Sequence, residues 1–217
     1  MADRYMINEV FVSLQGEGVR AGTSNIFVRF SGCNMKCDIE ASPLSPGGFS
    51  CDTEFQSGRK VDFKKLDEWI HEQLVISKAI NPYWMILTGG EPGLQIDEEF
   101  CGYYHDLGYK LAIETNGTID IAGNLGHRNR VGVDWITLSP KVAEHAVKCL
   151  VADELKYVRG YRQGIPKPSA KADYYLISPA FDGMEVHPKT LEWCYQLCME
   201  NPQWRFSVQQ HKQWRVR

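Results

Sequence analysis

Met85-Ile-Leu-Thr-Gly-Gly-Glu-Pro92 has the shape that decides the fold: an apolar, β-prone run that ends in small and polar residues. The shape recurs at Ile26-Phe-Val-Arg-Phe-Ser-Gly-Cys33, Leu111-Ala-Ile-Glu-Thr-Asn-Gly117, Trp135-Ile-Thr-Leu-Ser-Pro-Lys141 and Tyr174-Tyr-Leu-Ile-Ser-Pro179. Glu154-Leu-Lys-Tyr-Val158 and Trp204-Arg-Phe-Ser-Val-Gln-Gln-His211 are weaker members. Near-continuous apolar strands suit a parallel sheet covered on both faces. Between them, Phe63 to Lys78 carries Phe63, Leu66, Trp69, Ile70 and Leu74 at helical spacing. Glu98 to Leu107 and Pro188 to Met199 also read as helices, with Pro188 suited to a first turn. The alternation predicts an α/β fold. The chain is shorter than the roughly 250 residues of an eight-unit barrel, so a partial parallel barrel of about six units is expected. Its polar strand ends would gather on the edge that carries active sites.

At 217 residues the chain reads as one domain spanning 1–217. A formal charge of −3 provides no global field for nucleic acid or an anionic membrane. Met1-Ala-Asp-Arg-Tyr5 is not a basic segment leading into a long apolar run, and no apolar stretch is long enough to span a bilayer. A cytoplasmic protein with neither nucleic-acid nor membrane partner is therefore expected. Seven cysteines without a secretion signal point to a reducing compartment, where thiols serve metals or chemistry.

Three of those thiols, Cys33, Cys37 and Cys51, follow one strand run and a Ser31-Gly32 turn. Three thiolates on one loop can hold three irons of a four-iron cluster and leave the fourth open, whereas clusters that only pass electrons usually take four cysteines. The same spacing also fits ordinary buried thiols or a zinc knuckle completed by another ligand. Within the loop, Ser42 to Ser50 holds two prolines and two glycines and reads as a flexible excursion. Cys101, Cys149, Cys194 and Cys198 read as core thiols. Gly89 and Gly90 would let backbone carbonyls approach a ligand, with Glu91 adding a carboxylate for an ammonium group. Glu114-Thr-Asn-Gly117 and Ser139-Pro-Lys141 end strands in the same way. Taken singly, each of these three segments also fits a plain turn.

Together with Leu14-Gln-Gly-Glu-Gly18, Cys51-Asp-Thr53, Glu154-Leu-Lys156 and Trp204-Arg-Phe-Ser-Val-Gln-Gln-His-Lys212, these pieces run over nearly the whole chain. In them the chain resembles the 7-carboxy-7-deazaguanine synthases of the queuosine precursor pathway, within the radical S-adenosylmethionine (SAM) enzymes. The resemblance implies a partial (β/α)6-type barrel with a cluster-binding loop at about 31–53 and a substrate-closing segment at about 204–217. It implies rearrangement of 6-carboxy-5,6,7,8-tetrahydropterin to 7-carboxy-7-deazaguanine with loss of ammonia. The cofactors would be a [4Fe-4S] cluster, SAM and Mg2+, the electron donor a protein such as flavodoxin, and the assembly a homodimer. Cys33, Cys37 and Cys51 would hold the cluster, and Thr53 the magnesium. Asp52, Gly89, Gly90, Glu91, Glu114, Ser139 and Lys141 would bind SAM. Gln15, Gly16, Glu17, Arg29, Thr88 and His211 would bind substrate, with Arg29 gripping its carboxylate unless it serves a structural ion pair. A glycyl-radical-enzyme activase and a non-catalytic zinc module are the alternatives.

Three departures from the family pattern stand out. Thirteen residues separate Cys37 from Cys51 where two are usual. Ser178-Pro179 stands where the family often has Gln-Pro, and the tail after Lys212 is Gln-Trp-Arg-Val-Arg217.

Overall fold

The structure, a computed structural model, describes residues 4–35, 37, 51, 53–80 and 82–216. Among these, nine strands form one sheet: β1 (Tyr5–Leu14), β2 (Ser24–Phe30), β3 (Arg59–Val61), β4 (Trp84–Gly89), β5 (Lys110–Thr115), β6 (Trp135–Leu138), β7 (Val151–Arg159), β8 (Lys171–Pro179) and β9 (Trp204–Phe206). Their order is β3-β1-β2-β4-β5-β6-β7-β8-β9. From β2 to β9 every pairing is parallel, while β1 and β3 run antiparallel along one margin. The mixed α/β class and largely parallel sheet match the expected fold. The sheet is open, with β3 and β9 as its outer strands.

The expected helices form at their expected places: α1 (Phe63–Ser77), α2 (Glu98–Asp106) and α4 (Pro188–Glu200), joined by the short α3 (Ile121–Leu125) and α5 (Gln210–Trp214). Asp62 and Asp97 cap α1 and α2 by accepting from Lys65 N and Phe100 N, and Pro188 opens α4. The three long helices bury stripes against one face of the sheet. Phe63, Leu66 and Ile70 of α1, Phe100, Cys101 and Tyr104 of α2, and Cys194 and Leu197 of α4 join Ile26, Val28, Met85, Leu87, Leu111, Ile113, Ile136 and Leu155 in the main core. Cys101, Cys149 and Cys194 are buried, and burial pushes their thiols up to about 12, 11 and 12, so they remain neutral thiols.

The other face differs from the expectation of cover on both sides. Its lower half holds a small cluster of Phe11, Phe27, Ile86 and Ala112, packed with Trp84 and Trp135, and no described helix residue joins it. The strands read as unbroken apolar runs because this inner face is apolar near their starts. Higher up the same face carries Arg29, Thr88, Glu114, Thr137, Glu154 and Lys156, alternate residues of neighbouring strands. The chain from Gln15 to Gly22 folds across the face. Val19 N donates to Glu154 Oε1 at 2.7 Å, and the Arg20 guanidinium lies 3.7 Å from the Trp84 ring centroid.

Buried Asp153 ties the start of β6 to β7. It accepts from Ile136 N at 2.6 Å and from Arg128 Nε at 3.1 Å, with His127 Nε2 at 2.8 Å. Asp153→Ala leaves the Ile136 N–H buried without an acceptor, and should cost about 1–3 kcal/mol. A lowered urea midpoint with an unchanged m-value checks this.

Candidate functional site

Parallel pairing brings four strand ends together. Gly90 N donates to Phe30 O and Glu91 N to Gly32 O, each at 2.9 Å, so the turn after β4 is bonded to the turn that opens the cysteine loop. The backbones are too close for side chains. A Cβ on Gly90 would lie 1.9 Å from Gly32 O, and one on Gly89, whose φ is +108°, 2.4 Å from Phe30 O. Ser139 N then bonds Thr115 O, and Lys141 N bonds Asn116 O, carrying the junction on to the ends of β5 and β6.

Cys33 and Cys37 are half-buried and Cys51 is exposed. The Cys37 thiol is held far above its ordinary range, first by its hydrogen bond to Cys51, then by burial, with Lys141 opposing. Burial raises Cys33, which Met35 N–H and Asn116 oppose. The three sulfurs and the Lys141 ammonium thus share one edge. Cys51 Sγ also lies 3.5 Å from Thr53 O. Asp52 and the excursion 42–50 lie outside the described residues.

Glu91 is fully buried. Its carboxylate accepts from Gly93 N at 3.1 Å, Thr115 Oγ1 at 2.9 Å and Asn116 N at 2.7 Å, against a burial cost that raises its pKa. It therefore locks the turn from beneath. Asn116, not singled out as a site residue, donates through Nδ2 to Asn34 Oδ1 at 3.2 Å and toward Cys33 Sγ at 3.7 Å. Its place in the Asn-Gly turn after a polar-ended strand was the available signal. Ser139 accepts from Lys141 Nζ at 3.1 Å.

A second group occupies the inner face. Glu114 accepts from Gln15 Nε2 at 3.1 Å and from Thr88 Oγ1 at 2.8 Å, so it sits with two expected substrate residues rather than with Ser139 and Lys141. Arg29, beside Thr88 in the sheet register, donates to Glu9 Oε1 at 2.7 Å and lies over Phe11. The ion-pair alternative for Arg29 is therefore present in the structure. Lys156 is paired with Glu17, whose other oxygen accepts from Gln209 Nε2 at 2.7 Å. Burial opposes ionisation of Glu17, but Lys156 and Gln209 hold its carboxyl down at about 2. Gln210 N donates to Gly16 O at 2.8 Å, and the His211 ring lies where a Gly16 side chain would stand. A cavity of about 10 Å³ lies among Gln15, Glu17, Arg20, Glu114, Thr137 and Glu154.

Gly90→Ala should force Gly32 aside, costing about 1–3 kcal/mol as an overpacking change. The melting temperature should fall, and iron and sulfide retained after anaerobic reconstitution should fall with it.

No family model matches the chain. It is 35% identical over 223 residues to the 7-carboxy-7-deazaguanine synthase of Bradyrhizobium diazoefficiens, covering 98% of this chain and 99% of the relative. The synthase of Caulobacter vibrioides is 34% identical over 223 residues, with 96% and 97% covered. The crystal structure of QueE from Escherichia coli superposes with a TM-score of 0.62 over 97% of this chain and 96% of that one, at 22% identity, and so shares the fold.

Proposed function

The chain belongs to the 7-carboxy-7-deazaguanine synthase family, and from that premise we propose how its residues divide the work. It is a radical SAM lyase that converts 6-carboxy-5,6,7,8-tetrahydropterin to 7-carboxy-7-deazaguanine with loss of ammonia, in queuosine precursor biosynthesis. When bound, the [4Fe-4S] cluster and SAM supply the 5′-deoxyadenosyl radical that takes the substrate's C6 hydrogen, while the protein orients and shields. The observation that carries the assignment is the junction of strand ends, where three thiols meet the Gly89-Gly90 turn, Asn116 and Lys141.

Cys33, Cys37 and Cys51 hold the cluster; soft thiolates in a set of three suit iron–sulfur binding with one open iron. The Asn116 amide near Cys33 adds a hydrogen bond of the kind that tunes such clusters. Gly89 and Gly90 offer carbonyls to the N–H bonds of the methionyl amine, and Glu91 places negative charge behind them. Ser139 and Lys141 take the SAM carboxylate or ribose, with Asp52 in the same set. Thr53 contributes an oxygen to Mg2+, which keeps few protein ligands and several waters.

Gln15 and Glu17 read the guanidine-like edge of the pterin. Thr88 and Glu114 join them, supported by the bonds among Gln15, Thr88 and Glu114. Gly16 and His211 close the pocket, and 204–217 is its closing segment within one radical SAM domain, 1–217. Arg29 grips the substrate carboxylate, using the part of its guanidinium fork that Glu9 leaves or yielding Glu9 to it. The proposal extends to a flavodoxin-type electron donor, a homodimer and a cytoplasmic setting, as the family resemblance implies. No described helix is long and apolar enough to cross a membrane.

Anaerobic reconstitution with iron and sulfide, followed by SAM, dithionite and the carboxypterin, should yield 7-carboxy-7-deazaguanine and ammonia. SAM cleavage with the pterin unconsumed would favour an activase instead. Cys33→Ala, Cys37→Ala and Cys51→Ala should each abolish SAM cleavage, and Cys198→Ala should not. Arg29→Lys keeps the charge but loses the fork. Loss of a charge-assisted contact of about 1.5–3 kcal/mol predicts roughly tenfold to hundredfold weaker turnover on the carboxypterin, with iron content and SAM binding intact.

A further inference from the structure

Lys156 is a lysine on the inner face of β7, and the roles assigned so far do not use it. Its ammonium pairs with Glu17, and both side chains are largely buried, at 13% and 16% exposure. Two more carboxylates act on it, Glu114 from β5 and Glu154 from β7 itself. Glu17 meets Lys156 on one oxygen and Gln209 on the other, its own N–H donates to Gln15 Oε1 at 3.2 Å, and His211 adds its influence from the C-terminal segment. Arg20 faces Glu114 and Glu154 from the loop above. One cation is thus the common partner of the β1–β2 loop, β5 and β7 beneath the pterin-reading residues.

We propose that Lys156 is a positioning residue for substrate choice: its ammonium keeps Glu17 an ionised, acceptor-only carboxylate, so the site takes a ring edge with two N–H donors and rejects one with a carbonyl there. A pterin presents its 2-amino group and ring N–H as two donors. A lumazine presents a carbonyl in place of the amino group. An ionised carboxylate has no proton to offer that carbonyl, whereas a protonated one does. Burial is the largest single influence on Glu17 and favours the protonated form; Lys156, with Gln209 and His211 behind it, overrides it. Without Lys156 only Gln209 and His211 are left to oppose burial, and the pKa of Glu17 rises. This inference rests on the reading of Glu17 as a substrate residue.

The sign follows. In the native protein Lys156 and Gln209 hold the Glu17 carboxyl well below its ordinary range, so recognition by its carboxylate is constant across neutral pH. With Lys156→Met the pKa rises, and recognition is present above the raised value and lost as pH falls through it. The test is the equilibrium dissociation constant, by titration calorimetry, for the carboxypterin and for the matching carboxylumazine between pH 6 and pH 8.5. The wild type should prefer the pterin by a ratio that does not change with pH. Lys156→Met should lose that preference toward pH 6, by about tenfold per pH unit below the new pKa. Lys156→Arg should keep it, because the positive charge remains. If Lys156→Met does not fold, Lys156→Met/Glu154→Gln lightens the unpaired negative charge and gives the same readout.

A pH-independent loss of affinity for both ligands in the Met variants, or an Arg variant that behaves like Met, would overturn the proposal and leave Lys156 a structural ion pair. Glu17→Gln separates the two layers. If it leaves the pterin-to-lumazine ratio unchanged, the substrate reading of Glu17 fails and the inference with it. If it collapses the ratio while Lys156→Met does not, only the role of Lys156 fails.

Discussion

The close approach of Gly90 to Gly32 is the constraint on which the site depends. Two backbones meet where Gly90 has no room for a side chain and Gly32 holds a φ of +88°, and hydrogen bonds from Gly90 and Glu91 hold them there. Through that contact the first turn of the cysteine loop is bonded to the rigid end of β4. Glu91 then passes the constraint to β5 through Asn116, and Asn116 returns it to Cys33. A loop with thirteen residues between two of its cysteines needs such an anchor. Loop length by itself adds little entropic cost, so anchorage at its start rather than shortness decides where Cys33 stands.

Below that edge the inner face is a network of charges in a confined space. Glu17, Glu114 and Glu154 face Lys156 and Arg20, and Arg29 faces Glu9. Buried charges persist only when paired or hydrogen-bonded. Each carboxylate here has a named donor: Gln15 and Thr88 for Glu114, Val19 N and Thr137 for Glu154, Lys156 and Gln209 for Glu17. The polar face is therefore preorganised before any ligand arrives, which is what recognition of a flat, hydrogen-bonding ring requires.

Much of this was legible in the sequence because it is local. The runs ending in Cys33, Glu91, Asn116 and Lys141 announced strands with polar C-terminal ends, and the periodicity of Phe63 to Leu74 announced α1. Their meeting at one edge follows from parallel pairing alone. The partners chosen across the sheet were not legible. The motif places Glu114 among the SAM residues, and only strand register adds its hydrogen bonds to Gln15 and Thr88. The Glu9 partner of Arg29 depends on antiparallel β1, and Lys156 appeared only as part of a matching motif. Helical cover of one face alone was also hidden, since Phe27, Ile86 and Ala112 make the strands look apolar throughout while the β1–β2 loop does the covering.

The central claim is that three thiolates at this edge leave one iron open beside the Gly89-Gly90 turn. Electron–nuclear double resonance of the reduced enzyme, with SAM labelled at its methionyl nitrogen, tests it most directly. The account predicts a strong hyperfine coupling between that nitrogen and the cluster spin. A reduced cluster that shows no coupling to the bound label, or one whose fourth iron is held by a protein ligand, would contradict it.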